Sequence, residues 1–369
     1  MRPSIRPVHA PLIALAAVLL AGCGGSPTAA PAGGGGAGKG QTAQLRKYAA
    51  MPDDRLVAAA KKEGTVQIYG SDSSIQENIA AFEKKYGIKV QSYRADSEDV
   101  LQRVLQESGA GRLPADLVDT NGGELLTMAS KGVLADYGDT RVTKQLRPGS
   151  VHPGWVATRY DAFVVAWNTN KVTDPPKSWQ DLASPRFKGQ LELEQDDWDW
   201  YLGLHDYLTT KLGWTTKQAD GFFTRLAANA KVVKGHTVQA QLLDSGQVGI
   251  SPESYKHLID QDHFEKKAPV VWQPPIAPVL YRPNGIGLTK TAPHPAAAVL
   301  YMKWALTDGQ KLVVDQYRDP ANLSVKARNP VPKGTAIYDI PIDQMTHDGT
   351  KWSEAWQRLL QNAPSAGKN

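Results

Sequence analysis

Residues 65–90 constrain the fold more tightly than any other stretch. Thr65-Val66-Gln67-Ile68-Tyr69 alternates with the two-residue period of a strand, and Gly70-Ser71-Asp72-Ser73-Ser74 follows as a polar turn. Ile75, Ile79, Phe82 and Tyr86 then recur at helical spacing, and Gly87 supplies the left-handed stop. Ser73 with Gln76, or Ser74 with Glu77, makes a capping-box pattern at the start of that helix. Ile88-Lys89-Val90 opens the next strand. A strand, a helix and a strand in this order make a β-α-β unit, so an α/β fold with parallel pairing is expected.

The same punctuation continues. Helices are expected at 100–106, 125–130, 222–228, 239–244, 295–306 and 351–360, and strands at 115–118, 163–167, 190–193, 248–250 and 286–288. Thr120-Asn121-Gly122-Gly123 and Pro252-Glu253-Ser254-Tyr255 read as turns, and 270–280 as an extended, proline-broken passage. The 369 residues suffice for two ordinary domains behind a leader, and 41% hydrophobic content allows a sizeable core. The net charge of +5 is small for this length, and Lys and Arg are interspersed with acids, so no nucleic-acid partner is expected. A single cysteine, Cys23, excludes an internal disulfide.

That cysteine sits in Leu20-Ala21-Gly22-Cys23, behind Arg2, Arg6 and an apolar run at 12–20 that is too short to span a bilayer. The segment resembles the lipobox of bacterial lipoproteins. The resemblance implies a signal peptide over 1–22, cleavage before Cys23, and lipidation of that residue. It also implies a membrane anchor on the outer face of the plasma membrane, of the Gram-positive surface type. Residues 23–50 then form the lipidated cysteine and a tether rich in Gly, Pro and Ala. Gly33 to Lys39 fits a phosphate-loop pattern by chance: no strand precedes it, and Gly40 replaces the magnesium-binding Ser or Thr.

Three further segments carry a second resemblance. They are A-F-E-K-K-Y-G-I-K-V (81–90); V-V-A-W-N-T-N-K-V (164–172) with P-P-K-S-W-Q-D-L and F-K-G-Q-L after it; and G-I-G-L-T-K-T-A-P-H-P-A-A-A (285–298) followed by L-T-D-G-Q. In order and spacing the chain resembles extracellular solute-binding proteins of ABC importers, in the group of ferric-iron, aminoethylphosphonate, thiamine and polyamine binders. The resemblance implies an α/β, two-lobed type II periplasmic-binding-protein fold with the ligand cleft between lobes joined by hinge crossovers. One lobe would hold 55–159 and 276–318, and the other 160–275 and 319–369, with crossings at 160–162 and 274–276. The implied partners are a small-molecule solute, an ABC permease and its ATPase. The protein is expected to be a monomer and not an enzyme, with no cofactor and no assigned metal ligand.

Ligands of open α/β sheets sit beyond the carboxyl ends of the strands. That rule selects Ser71, Asp72, Ser73, Ser74, Thr120 and Asn121 in the first lobe, with Arg159, Tyr160 and Asp161 on the crossover. In the second lobe it selects Asp197, Trp198, Asp199 and Trp200, then His236 and Thr237, then Glu253, Ser254 and Tyr255. The string Asp196-Asp197-Trp198-Asp199-Trp200-Tyr201 interleaves acids with large aromatics, which suits an organic cation. It also suits a helix start, where Asp favours the first turn and Trp200 enters the core. His257 and His263 read as helix-surface residues.

Relatives that bind ferric iron use a tyrosine pair with a His and a Glu. Here Ser254-Tyr255 supplies one tyrosine, the first turn has no histidine, Asn121 stands for an acid, and Asp161 for the anion-binding arginine. A polar organic solute fits better: Ser, Asn and helix N-termini for a phosphonate, phosphate or carboxylate, and Asp161, Asp199, Glu253 and the Trp rings for an amine. A ferric or other metal-complex binder is the first alternative, a secreted hydrolase the second, and a structural surface lipoprotein the third. No G-x-S-x-G or H-E-x-x-H pattern occurs.

Overall fold

The computed structural model describes residues 37–361 and 363; the signal and lipobox expectations at 1–23 lie outside them. In chain order the elements used below are α1 (Ala37–Ala49), α2 (Asp53–Glu63), β1 (Thr65–Gly70), α3 (Ile75–Tyr86), β2 (Lys89–Arg94), α4 (Ser97–Gly109), β3 (Leu117–Asn121), α5 (Gly122–Ser130) and β4 (Trp155–Asn168). Then come β5 (Leu191–Glu194), α6 (Trp198–Thr210), α7 (Thr216–Ala228), β6 (Ala230–Val233), α8 (His236–Asp244), β7 (Ile250–Tyr255), α9 (Lys256–Phe264), β8 (Val279–Thr289), α10 (Pro295–Leu306), β9 (Ile337–Asp339) and α11 (Ile342–Leu360).

The main path of the sheet runs β2-β1-β3-β8-β4-β7-β5-β6. β2, β1 and β3 are parallel, as are β7, β5 and β6. Between these two wings lie the long strands β8 and β4, antiparallel to each other and to the strand on either side. Each wing is therefore a parallel α/β layer, and the two long strands belong to both. The mixed α/β architecture is the expected two-lobed type.

The first β-α-β unit forms where its spacing placed it, with α3 ending on Gly87 at φ 68°. Its capping box does not form: neither Ser73 nor Ser74 caps through its side chain. Instead Asp72 Oδ1 accepts from Ser74 N at 3.0 Å, because a carboxylate two residues upstream competes for the same N–H. Helix α10 spans the predicted 295–306 and is buried on almost every face.

Three expectations are corrected. The tether expected to residue 50 stops earlier, because α1 buries Leu45 and Ala49 against α10; fully burying one leucine contributes roughly 1.5–3 kcal/mol. Pro252 to Tyr255 is strand, not turn: β7 pairs with β4 from Ile250 to Tyr255. The turn expected at 120–123 is the end of β3 running directly into α5, whose first residue is Gly122.

The passage between wings lies in the middle of β4 and β8, where Arg159 pairs with Asn284 and Asp161 with Arg282. A bulge between Asn284 and Gly285 tightens this ribbon. A Cβ on Gly285 would come within 2.3 Å of the Val156 carbonyl oxygen, so only glycine lets the two strands approach. No helix among the described residues is long and apolar enough to cross a membrane.

Candidate functional site

Strand alternation decides which crossover residues face which way. Arg159 and Asp161 share one face of β4, and Arg282 and Asn284 the matching face of β8. Tyr160 lies on the opposite face: its hydroxyl bonds Ser150 Oγ at 2.8 Å and its ring stacks on Tyr281 at 5.9 Å. Tyr160 is thus removed from the expected site, for the reason that places its two neighbours there.

The polar face is closed by residues from both wings. Arg159 Nη1 donates to Asp119 Oδ1 at 3.0 Å, and its Nη2 lies 3.6 Å from Asp72 Oδ2. Arg318 Nη1 donates to Asp72 Oδ1 at 2.9 Å. Arg282 Nη1 donates to Asp199 Oδ2 at 2.9 Å, its Nη2 donates to Tyr255 Oη, and Asn284 Nδ2 donates to Asp161 Oδ2. His257, expected on a helix surface, is buried here, with Nδ1 3.8 Å from Asp161 Oδ1; burial and the Arg318 charge push its pKa down to about 3. Burial alone raises a carboxyl, but the Arg159 and Arg318 guanidiniums outweigh it and hold Asp72 below its ordinary range. Asp119 is raised by burial, having one guanidinium in contact instead of two.

The network leaves polar atoms unsatisfied. Arg159 Nε, Asp161 Oδ1, Arg282 Nε, Asn284 Oδ1 and Arg318 Nε are shielded from solvent and have no hydrogen-bond partner among the described residues. Unpartnered atoms at this density are what a site built for a polar guest or for ordered water presents.

Beside this floor is a cavity of about 450 Å³ between α4 and α5 of one wing and α6 and α11 of the other. Glu98, Glu124, Glu354 and Trp198 line it, with Gly123 and Met345 where α5 meets α11. No Lys or Arg contributes to its lining. Glu124 Oε2 is shielded and unpartnered, and desolvation, opposed by the Arg282 charge, pushes its carboxyl up to about 7. Asn121 precedes α5 without capping it through its side chain, and in the first turn the Glu124 carboxylate accepts from its own N–H. A second cavity, of about 460 Å³, is a groove along α7 and the turn before it, confined to one wing.

The remaining expected residues are dispersed. Ser71 Oγ lies 2.8 Å from Thr120 Oγ1, tying the ends of β1 and β3 together. Ser73, Ser74 and Asn121 stand at the same strand ends, Ser73 exposed and 3.4 Å from Arg318 Nη2. Asp197 precedes α6 and bonds His236 at 3.0 Å, while Trp198 lines the cavity. Glu253 and Ser254 are fully buried in β7, Ser254 bonding Ser251 Oγ at 2.9 Å. Trp200 is core, packed against Trp179, Phe223 and Trp356, because it lies on the inward side of α6. Thr237 points to solvent.

Arg282, Asn284, Arg318, Asp119 and Glu124 were not foreseen. For the first two a signal existed: Arg282 and Asn284 flank Pro283 with the same two-residue spacing as Arg159 and Asp161.

A family model described as bacterial extracellular solute-binding protein matches residues 77–337. Among solved structures, the periplasmic binding protein P5PA is 20% identical with a TM-score of 0.67, covering 80% of this chain and 99% of its own. The ferric binding protein from Campylobacter jejuni is 20% identical with a TM-score of 0.66, again covering 80% and 99%. The periplasmic binding protein AfuA from Actinobacillus pleuropneumoniae, solved with fructose-6-phosphate, is 19% identical with a TM-score of 0.68, covering 81% and 99%. These likenesses establish the fold. A comparison with curated protein sequences found no match.

Proposed function

The chain belongs to the bacterial extracellular solute-binding proteins of ABC import, and on that premise we propose that it captures a small zwitterion between its two wings. The observation that carries the reading is the interlobe cavity: three glutamates and a tryptophan line it, with His347 and with no Lys or Arg among the described residues. Glu124, with an unpartnered oxygen, and the Trp198 ring receive an organic ammonium. The N-terminus of α5 receives the carboxylate, phosphonate or phosphate at the other end of the solute.

Lobes made of 55–159 with 276–318, and of 160–275 with 319–369, close on the solute by bending β4 and β8 near their shared polar face. The closed form docks on a membrane permease driven by an ATPase. The cycle makes and breaks no covalent bond. The family works outside the cytoplasm, and a diacylated Cys23 holds the protein at the outer membrane face, Gram-positive fashion. Mass spectrometry of the native N-terminus, with release from the membrane by Cys23→Ser, tests the anchor.

Iron chemistry fits these residues less well. Tyr255 Oη already accepts from Arg282, and burial, outweighing the Arg282 charge, raises that phenol well above its ordinary range. Calorimetric titration with amino acids, aminophosphonates, quaternary amines, sugar phosphates and ferric citrate decides the matter. We expect saturable one-to-one binding of an amine-bearing anion and no turnover. Binding of ferric citrate alone overturns the proposal.

A further inference from the structure

A second group of charged residues lies in the other wing, behind Tyr255, where β5 ends and α6 and α8 begin. We propose that Glu194, Asp197 and His236 form a binding site for a divalent transition-metal ion, most suitably Zn²⁺, separate from the solute cavity. None of the three lines that cavity. Each offers one ligand atom, and the three atoms lie within 4.8 Å of one another. Around a tetrahedral ion with bonds near 2.1 Å, ligand atoms sit about 3.4 Å apart, so shifts of roughly 1 Å complete the set.

The hydrogen bonds around His236 call for a cation at that point. Gln239 Nε2 donates to Glu253 Oε1 at 2.8 Å, so the amide turns its carbonyl oxygen toward His236, 3.1 Å from Nδ1. Nδ1 must then carry hydrogen. The Nε2 of a neutral ring faces Asp197 Oδ1 at 3.0 Å with a lone pair, acceptor against acceptor. A proton or a metal cation resolves that opposition.

Asp197 adds an independent sign. The residue is 3% exposed, and its second oxygen, Oδ2, is shielded and has no partner. Among the described residues neither Asp197 nor Glu194 forms an ion pair with a lysine or arginine; the contact recorded is with His236. Glu194 is fixed in place by the Gly235 N–H at 2.8 Å on Oε1 and by the Asp196 N–H on Oε2, which leaves lone pairs on both oxygens. Gln239 and Glu253 orient the ring as metal-bound imidazoles are usually oriented, through the distal nitrogen.

The His236 side chain is 14% exposed, which gives an ion an entry from solvent. Two carboxylates with one imidazole suit a borderline ion such as Zn²⁺. Calcium favours six to eight oxygens.

The test uses the purified full chain, stripped with chelator and titrated calorimetrically with Zn²⁺, Mn²⁺ and Ca²⁺ in the absence of solute. We expect one Zn²⁺ per chain, with Ca²⁺ at least about 100-fold weaker. His236→Gln and Asp197→Asn should each weaken zinc about 10- to 100-fold, while His263→Gln leaves it unchanged. Anomalous diffraction at the zinc edge on wild-type crystals locates the ion whether or not the variants fold. No zinc binding, or an anomalous peak away from these three residues, overturns the site. The solute titration is read separately, so either proposal can fail without the other.

Discussion

Two clusters of buried acids, one in each wing, are treated in opposite ways. In the first, Asp72 and Asp119 are held by Arg159 and Arg318 at distances of 2.9 to 3.6 Å. In the second, Glu192, Glu194, Asp197 and Glu253 are all buried, and among the described residues only His236 is in ion-pair contact with any of them. The consequence appears in their titration. Asp72 is depressed by its guanidiniums and Asp119, with one in contact, is raised by burial, whereas in the second cluster desolvation pushes Glu194 up to about 7, Glu192 up to about 9, and Glu253 well above its ordinary range. The first set has its charges offset by its own guanidiniums; the second holds protons or awaits a cation.

The largest expected effect breaks the paired side. Arg159→Met leaves Asp72 with one of its two guanidiniums and Asp119 with none in contact, and should destabilise the fold by about 3–5 kcal/mol at pH 7 in urea unfolding. A loss under about 1 kcal/mol would mean the arginine is dispensable to this wing.

Next comes the unpaired side, with the opposite sign. Glu192 is fully buried, and neither carboxylate oxygen has a hydrogen-bond partner. Its folded pKa of about 9 lies far above an unfolded glutamate near 4.3, so the native state binds the extra proton and stability falls as pH rises between those values. Glu192→Gln should therefore gain about 2–4 kcal/mol at pH 8 and almost nothing at pH 4. Parallel wild-type and variant curves across that range would show that Glu192 does not carry the raised pKa. Asp72 works in the reverse sense: what it contributes is present above about pH 4 and is lost as pH falls toward its depressed folded pKa.

The smallest effect lies between the wings. Glu124→Gln should weaken an amine-bearing solute about tenfold, near 1.4 kcal/mol, with little change in unfolding. Undiminished affinity would move the ammonium site elsewhere in the cleft.

Much of the scaffold was readable from local pattern. The helices at 75–86 and 295–306 and the strand beginning at 65 were set by spacing and by Gly87, all within a few residues of one another. Strand ends were chosen as the place where polar residues gather; Ser71, Asp72 and Thr120 stand there, whereas Arg159, Asp161 and Glu253 lie within strands. What local pattern missed were partners distant in the chain. Asp72 was placed in a polar turn facing the ligand, yet its side chain is held by Arg318, 246 positions later. Trp198 and Trp200 look alike in sequence, but two positions along α6 separate the cavity wall from the core.

By itself the sequence determined the succession of strands and helices, the parallel wings and the polar strand ends, because those follow from contacts between residues close along the chain. Only the tertiary structure decided which acids acquire guanidinium partners and which stay unpaired. Desolvation and ion pairing depend on what is packed within a few ångströms, and in this protein those neighbours come from segments distant in the chain, 40 positions apart for Asp119 and Arg159 and 246 for Asp72 and Arg318.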